Sequence, residues 1–167
     1  VPDRGIMASI TAPFDAIESV LSSLDGYVIA ANKNSPTMTV IAGETEPMRE
    51  AMRLFEEGGA TVVQLQTSHA FHSRIVAPAN VPLRRFLENL EISLPSIPVS
   101  ANVDGTFYPN VVQPGQDAKD AILEKLAPQM SSAVEWTSQV RSMHEAGARI
   151  YLEVGPKRAL ALFASQI

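Results

Sequence analysis

The sequence predicts a mixed α/β protein, with a small split β-sheet in its first third and a second layer of alternating strands and helices after it. Three observations carry this. Short β-prone runs alternate with amphipathic helical segments through residue 66. Proline-bounded apolar runs then alternate with helical stretches. A composition of 46% hydrophobic and 19% charged residues over 167 positions supports one ordinary domain or two small subdomains with a real core.

The elements follow in chain order. GIMASI at 5–10 is a short strand, and PFDAIESVLSSL at 13–24 spaces Phe14, Ile17, Val20, Leu21 and Leu24 as a helix does. Asp25-Gly26 closes that helix. YVIAAN at 27–32 and MTVIAG at 38–43 are strands joined by the turn-forming KNSPT. The segment 45–57 is a helix, with Thr45 as N-cap, Pro47 near its start and Met48, Met52 and Phe55 on one face; Gly58-Gly59 ends it. TVVQLQ at 61–66 is the fourth strand, and the resulting order βαββαβ is the ferredoxin-like arrangement. Beyond the loop that follows, 78–90 reads as a helix and IPVSANVDG at 97–105 as a buried strand running into a turn. Helices at 118–126 and 134–146 lead to a strand, RIYLEV at 149–154, which Gly155-Pro156 breaks before a last helix. Two strands make an incomplete parallel layer.

Composition also excludes classes of function. The net charge of -5 is spread along the chain with no basic block, which argues against nucleic-acid binding. No apolar run of about 18 residues and no signal-peptide pattern occurs, so neither membrane insertion nor secretion is expected. The absence of cysteine removes disulfides and thiolate chemistry and fits a cytoplasmic location. The chain opens on Val1 without an initiator methionine, as a piece of a longer protein would.

Two of the three histidines, His69 and His72, stand three residues apart in TSHAFHSRIVAP. They read as polar loop residues with ordinary hydrogen bonds, as metal ligands, or as one general base for a hydroxyl nucleophile. The metal reading needs further ligands, and the third histidine, His144, lies on a distant helix. The general-base reading suits an imidazole titrating near neutrality at a strand end, but it needs a nucleophile.

The blocks IAANKNSPTMTVIAG, TSHAFHS, SANVDG, APQMSSAVEW and YLEVGP, in this order and spacing, resemble the acyltransferase domain of polyketide, fatty-acid and polyunsaturated fatty-acid synthases, the malonyl-CoA:acyl carrier protein transacylases. The resemblance runs from about Gly5 to Ile167 and implies the C-terminal half of such a domain. It implies a ferredoxin-like small subdomain over 1–67 and the C-terminal portion of an α/β-hydrolase-like large subdomain over 68–167. The activity it implies moves a malonyl-type group from coenzyme A to a serine and on to the phosphopantetheine thiol of an acyl carrier protein, with no metal and no bound cofactor. Implied partners are malonyl-CoA, the carrier protein, the N-terminal half of the domain and neighbouring synthase domains.

Residue by residue, the resemblance makes His72 of AFHS the base that activates the serine and then protonates the departing thiol. It places Gln129 of APQMSSAVEW where a backbone carbonyl orients the imidazole; without it, Gln129 is a polar residue at a helix end. His69 and Phe71 fall in the block HAFH, which resembles the malonyl-type block rather than YASH, and a bulky Phe71 would crowd an α-methyl. Asn32 and Asn34 match asparagines facing the cleft between subdomains, although Asn-Ser-Pro is also an ordinary turn. Trp136 and Val134 are expected in core packing, and the EVGP block at a strand end.

The nucleophile elbow G-x-S-x-G does not occur: no glycine has serine two places on and glycine four places on. The family's arginine for the malonyl carboxylate stands in an R-G-x-x-M context after that serine. Arg4-Gly5-Ile6-Met7 has this form, but VPDRGIMASI aligns with the segment opening the small subdomain. Two readings follow. The chain is part of a working transferase whose serine lies elsewhere, or it is a non-catalytic module that binds a carrier protein or a neighbouring domain.

Overall fold

Side chains alternate across a strand, so a strand covered on both faces must supply two apolar sets, and the first third of this chain does so. The structure, a computed structural model, describes residues 3–167; Val1 lies outside them. Its elements here are β1 (Ile6–Thr11), α1 (Phe14–Ser23), β2 (Val28–Ser35), β3 (Met38–Gly43), α2 (Thr45–Glu57) and β4 (Thr61–Gln64). The strands form one sheet in the order β2-β3-β1-β4, every neighbouring pair antiparallel. This is the expected βαββαβ arrangement.

Ala8, Ile10 and Ile41 pack on one face of the sheet with Ile17 of α1 and Met48, Ala51 and Phe55 of α2. Ile10, Ile17, Ile41 and Met48 are fully buried, and each such side chain contributes about 1.5–3 kcal/mol through the water it no longer meets. Met7, Ala31, Val40 and Ala42 project to the other face, where Ala70 joins them and Phe71 and Ile75 pack alongside. The loop carrying the histidine pair is thus the cover of the sheet's second face.

Gly5 shows how closely that loop approaches. Its φ is +66°, and a Cβ there would meet the Gly43 carbonyl, 2.7 Å from the Ala70 methyl and 2.8 Å from Ile75 Cδ1. The Ala70 amide donates to the Arg4 carbonyl at 2.8 Å across the same junction.

Some boundaries differ from the sequence reading. β2 runs on through Ser35, with register shifts between Ala30 and Asn32 and between Lys33 and Ser35, so the turn is shorter than KNSPT. Glu44 rather than Thr45 holds the N-cap position of α2, without a side-chain cap of its own. The cap comes from a distance: Asp3 accepts from the Thr45 amide at 2.7 Å, the Thr45 hydroxyl at 2.6 Å and the Gly5 amide at 2.8 Å. These bonds, the Thr45 hydroxyl first, hold the Asp3 carboxyl below its ordinary value.

After residue 66 come a 3₁₀ turn (Arg74–Ala79), α3 (Asn80–Leu87), α4 (Ala118–Leu126), a 3₁₀ turn (Ala127–Met130), α5 (Trp136–Glu145) and α6 (Ala159–Ala164). The helix expected over 78–90 therefore splits, its start taken into a 3₁₀ turn that contains Pro78. The two expected strands do not form. Across 97–105 there is only an isolated Ser100–Phe107 bridge, and 149–154 pairs with nothing. Ile150, Leu152 and Val154 are 91%, 85% and 91% exposed, and Ile97 is 70% exposed. A strand is completed by its neighbours' hydrogen bonds, and none of the described residues offers them. Glu153 accordingly ends no strand; its carboxylate accepts from the amides of Leu160 and Ala161 at the start of α6.

Val134 and Trp136 are half-buried. Val134 also does what packing did not predict: it extends the sheet at the open edge of β2. It bridges Asn32, donating to the Ala31 carbonyl at 2.8 Å and accepting from the Lys33 amide at 2.9 Å. A Lys33–Glu135 ion pair at 2.7 Å and a Thr137 hydroxyl donating to the Lys33 carbonyl at 3.0 Å reinforce the seam. From there the chain is tied to SANVDG, since buried Gln139 donates to Asn102 Oδ1 at 3.0 Å and accepts from the Ser100 hydroxyl at 2.9 Å.

Candidate active site

His72 sits where the loop leaves the sheet, and its backbone is left-handed with φ 58°. For a residue with a Cβ this conformation costs on the order of 1–3 kcal/mol and persists only where neighbours fix it. They do so on both sides. The Ser73 hydroxyl is fully buried, donates to the Ala70 carbonyl at 2.5 Å and accepts from the Ile75 amide at 3.2 Å. The Arg74 amide donates to the Tyr27 hydroxyl at 2.8 Å, and the guanidinium lies 3.9 Å above that ring and 3.3 Å from Glu44. The amide of His72 itself donates to the Met130 carbonyl at 2.8 Å.

The imidazole points the same way. Its Nδ1 lies 3.0 Å from the Gln129 carbonyl oxygen and 3.2 Å from that of Ser132. Two carbonyls can only accept, so the proton on this edge belongs to Nδ1, and the Nε2 lone pair is left to take a proton from something else. Three carbonyls of one turn, Gln129, Met130 and Ser132, therefore hold the residue through 57 to 60 positions of intervening sequence.

His72 and Gln129 are thus brought together, the contact being to the main chain of Gln129. His69 and Phe71 precede His72 on the same loop, both half-buried, with ring centroids 6.1 Å apart and tilted by 58°. His69 Nδ1 lies 3.1 Å from the Ser68 hydroxyl. Asn32 and Asn34 lie half-buried on β2, Asn32 at the Val134 crossing; among the described residues neither hydrogen-bonds to His72. Sequence reasoning missed Met130, Ser132, Tyr27 and Glu44 as supports of the loop. The first two act through main-chain carbonyls, which leave no mark in the side-chain sequence. Among the described residues no group of three or more His, Asp or Glu gathers as a metal site would require, and no helix is long and apolar enough to cross a membrane.

Comparison with known proteins fits this geometry. No family model matches the chain. It is 32% identical over 165 residues, 98% of its length, to a polyunsaturated fatty acid synthase polypeptide of Thraustochytrium, of which it covers 5%. It is 35% identical over 133 residues to the polyketide biosynthesis malonyl CoA-acyl carrier protein transacylase BaeC of Bacillus velezensis, covering 78% of this chain and 43% of that protein. The chain is therefore similar to malonyl CoA-acyl carrier protein transacylases. Among solved structures, malonyl CoA-acyl carrier protein transacylase from Clostridium perfringens superposes over all of this chain and 52% of its own, with a TM-score of 0.86 at 27% identity. A malonyl transacylase solved in complex with a type II polyketide synthase acyl carrier protein gives 0.86 at 30% identity, over 99% of this chain and 53% of that one. The chain thus spans about half the length of these transacylases.

Proposed function

We propose that His72 is the general base of an acyl transfer in which a malonyl-type group passes from coenzyme A to a serine and then to the phosphopantetheine thiol of an acyl carrier protein. The observation that carries the reading is the pair of carbonyls on Nδ1, which leaves Nε2 as a proton acceptor at the end of a rigid loop. Nε2 takes the serine proton as the serine oxygen attacks the thioester carbonyl, and returns it to the sulfur of coenzyme A when the C–S bond breaks. The second half-reaction runs in the opposite sense, with the carrier-protein thiol giving its proton to Nε2 and the serine oxygen receiving it on leaving. The Gln129 carbonyl fills the orienting role that a carboxylate fills in a Ser-His-Asp triad.

The serine belongs, in this reading, to an N-terminal part of the domain not contained in these 167 residues, since no G-x-S-x-G occurs in them. Residues 1–67 form the small subdomain and 68–167 the C-terminal portion of the large one. The exposed apolar runs around Ile97 and at Ile150, Leu152 and Val154 are its unpaired strands, completed by that N-terminal part. By itself the chain is then inactive. HAFH, with Phe71 before His72, favours malonyl over α-branched groups, and Asn32 and Asn34 line the substrate cleft. The likeness to part of a large synthase supports neighbouring synthase domains as further partners, and the cysteine-free composition supports a cytoplasmic setting.

In a longer chain carrying the nucleophile, His72→Ala lowers malonyl loading by about 10²–10⁴ while circular dichroism shows the fold unchanged. Loading near the wild-type rate contradicts the assignment and favours the alternative, a non-catalytic module that binds a carrier protein or a neighbouring domain.

A further inference from the structure

The turn that holds His72 is itself held from the far side. Asn80, the first residue of α3, donates from Nδ2 to the Ser131 hydroxyl at 2.6 Å, and that hydroxyl donates to the Pro128 carbonyl at 3.2 Å. The Ser131 and Ser132 amides both converge on the same Pro128 carbonyl at 3.0 Å. Along 128–132 the carbonyls divide the work: that of Pro128 closes the turn inward, while those of Gln129, Met130 and Ser132 face His72. Among the described residues Asn80 Oδ1 is buried with no partner, so the amide's hydrogen bonding there is committed to Ser131 alone. A buried amide that leaves its oxygen unmet is a poor choice for packing, and what this one supplies is a single directed bond.

We infer that Asn80, acting through the Ser131 hydroxyl, is a positioning residue that fixes the proton of His72 on Nδ1 by locking the turn whose Gln129 and Ser132 carbonyls receive it. An imidazole free of such acceptors exchanges its proton between both nitrogens, and the fraction carrying it on Nε2 cannot act as a base there. The inference rests on the reading of His72 as the base, but its first consequence, a tautomer population, is visible without catalysis.

The test is ¹⁵N NMR of the histidine side chains in the 167-residue chain. Wild-type His72 carries its neutral-form proton on Nδ1. In Asn80→Ala and in Ser131→Ala, at least about half of that population moves to Nε2. Ser131→Thr keeps the hydroxyl and the Nδ1–H form. The amide resonances of β1–β4 report whether the fold is intact. Ser131→Ala removes only one oxygen atom, so it remains interpretable if Asn80→Ala does not fold. In a longer, active chain the same two variants lower kcat about tenfold with little change in KM, and Ser131→Thr restores it. Full retention of the Nδ1–H form in a folded Ser131→Ala or Asn80→Ala overturns the inference. A tautomer shift with no effect on transfer would leave the brace standing and overturn the role of His72 as base.

Discussion

The strands of the first sheet and the apolar runs around Ile97 and at 149–154 are built from similar residues, yet only the sheet forms a buried core. Ile10 and Ile41 are completely enclosed, whereas Ile150 is 91% exposed. Both lie in runs of strand-forming residues. The difference is company: β1 lies between β3 and β4 and beneath two helices, while 149–154 has no strand beside it among the described residues. An alternating or apolar run states what a segment is prepared to do, and the neighbouring strand decides whether it does so.

Truncating one apolar side chain in each region separates the two most strongly. Phe55→Ala, in the core between α2 and the sheet, lowers stability by about 3–5 kcal/mol. Leu152→Ala, at 85% exposure, changes it by less than about 0.5 kcal/mol. Chemical denaturation of both variants reads the contrast. A large loss for Leu152→Ala shows that 149–154 is packed in solution.

The histidine loop lies between the two regions, fixed to the sheet through Ala70 and to the second half through the turn at 128–132. If HAFH lies beside the acyl α-carbon as proposed, replacing His69 by Tyr and Phe71 by Ser in a longer, active chain removes the bulk of the phenyl ring there. Methylmalonyl loading then rises relative to malonyl by an amount worth about 1–3 kcal/mol, measured as the ratio of kcat/KM values. An unchanged ratio shows that these two positions do not choose the acyl group.

Legibility followed the same division. The spans of α2 and β3 were readable, apart from the α2 N-cap, because Thr45–Glu57 carries a periodic apolar face, Met38–Gly43 is a continuous β-prone run, and glycines terminate both. Val134 was readable as apolar but not as a sheet-edge partner, because the pairing joins residues a hundred positions apart. His72 stood out as a titratable residue in apolar surroundings. Its link to Gln129 came only through resemblance, since the acceptor is a main-chain oxygen. The brace at Asn80 and Ser131 gave no sequence signal, as asparagine at a helix start and serine in a turn are ordinary there.

A smaller effect probes the first region alone. The folded-state pKa of Asp3 is depressed by its bonds to Thr45 and Gly5, so its contribution is present above the unfolded carboxylate value and disappears as pH falls through the folded one. Asp3→Asn therefore lowers Tm slightly at neutral pH, and the gap to wild type closes in acid. A gap that stays constant with pH would show that the carboxylate does not cap α2.

The central claim is that His72 serves a nucleophile outside these 167 residues, and intact-mass spectrometry tests it directly. Incubated with malonyl-CoA, the chain alone acquires no malonyl group; mixed with the separately produced N-terminal part of the domain, it remains unmodified while that part gains one malonyl ester on serine. A stoichiometric malonyl adduct on any serine of the isolated chain, Ser73 included, contradicts the account and identifies a nucleophile within it.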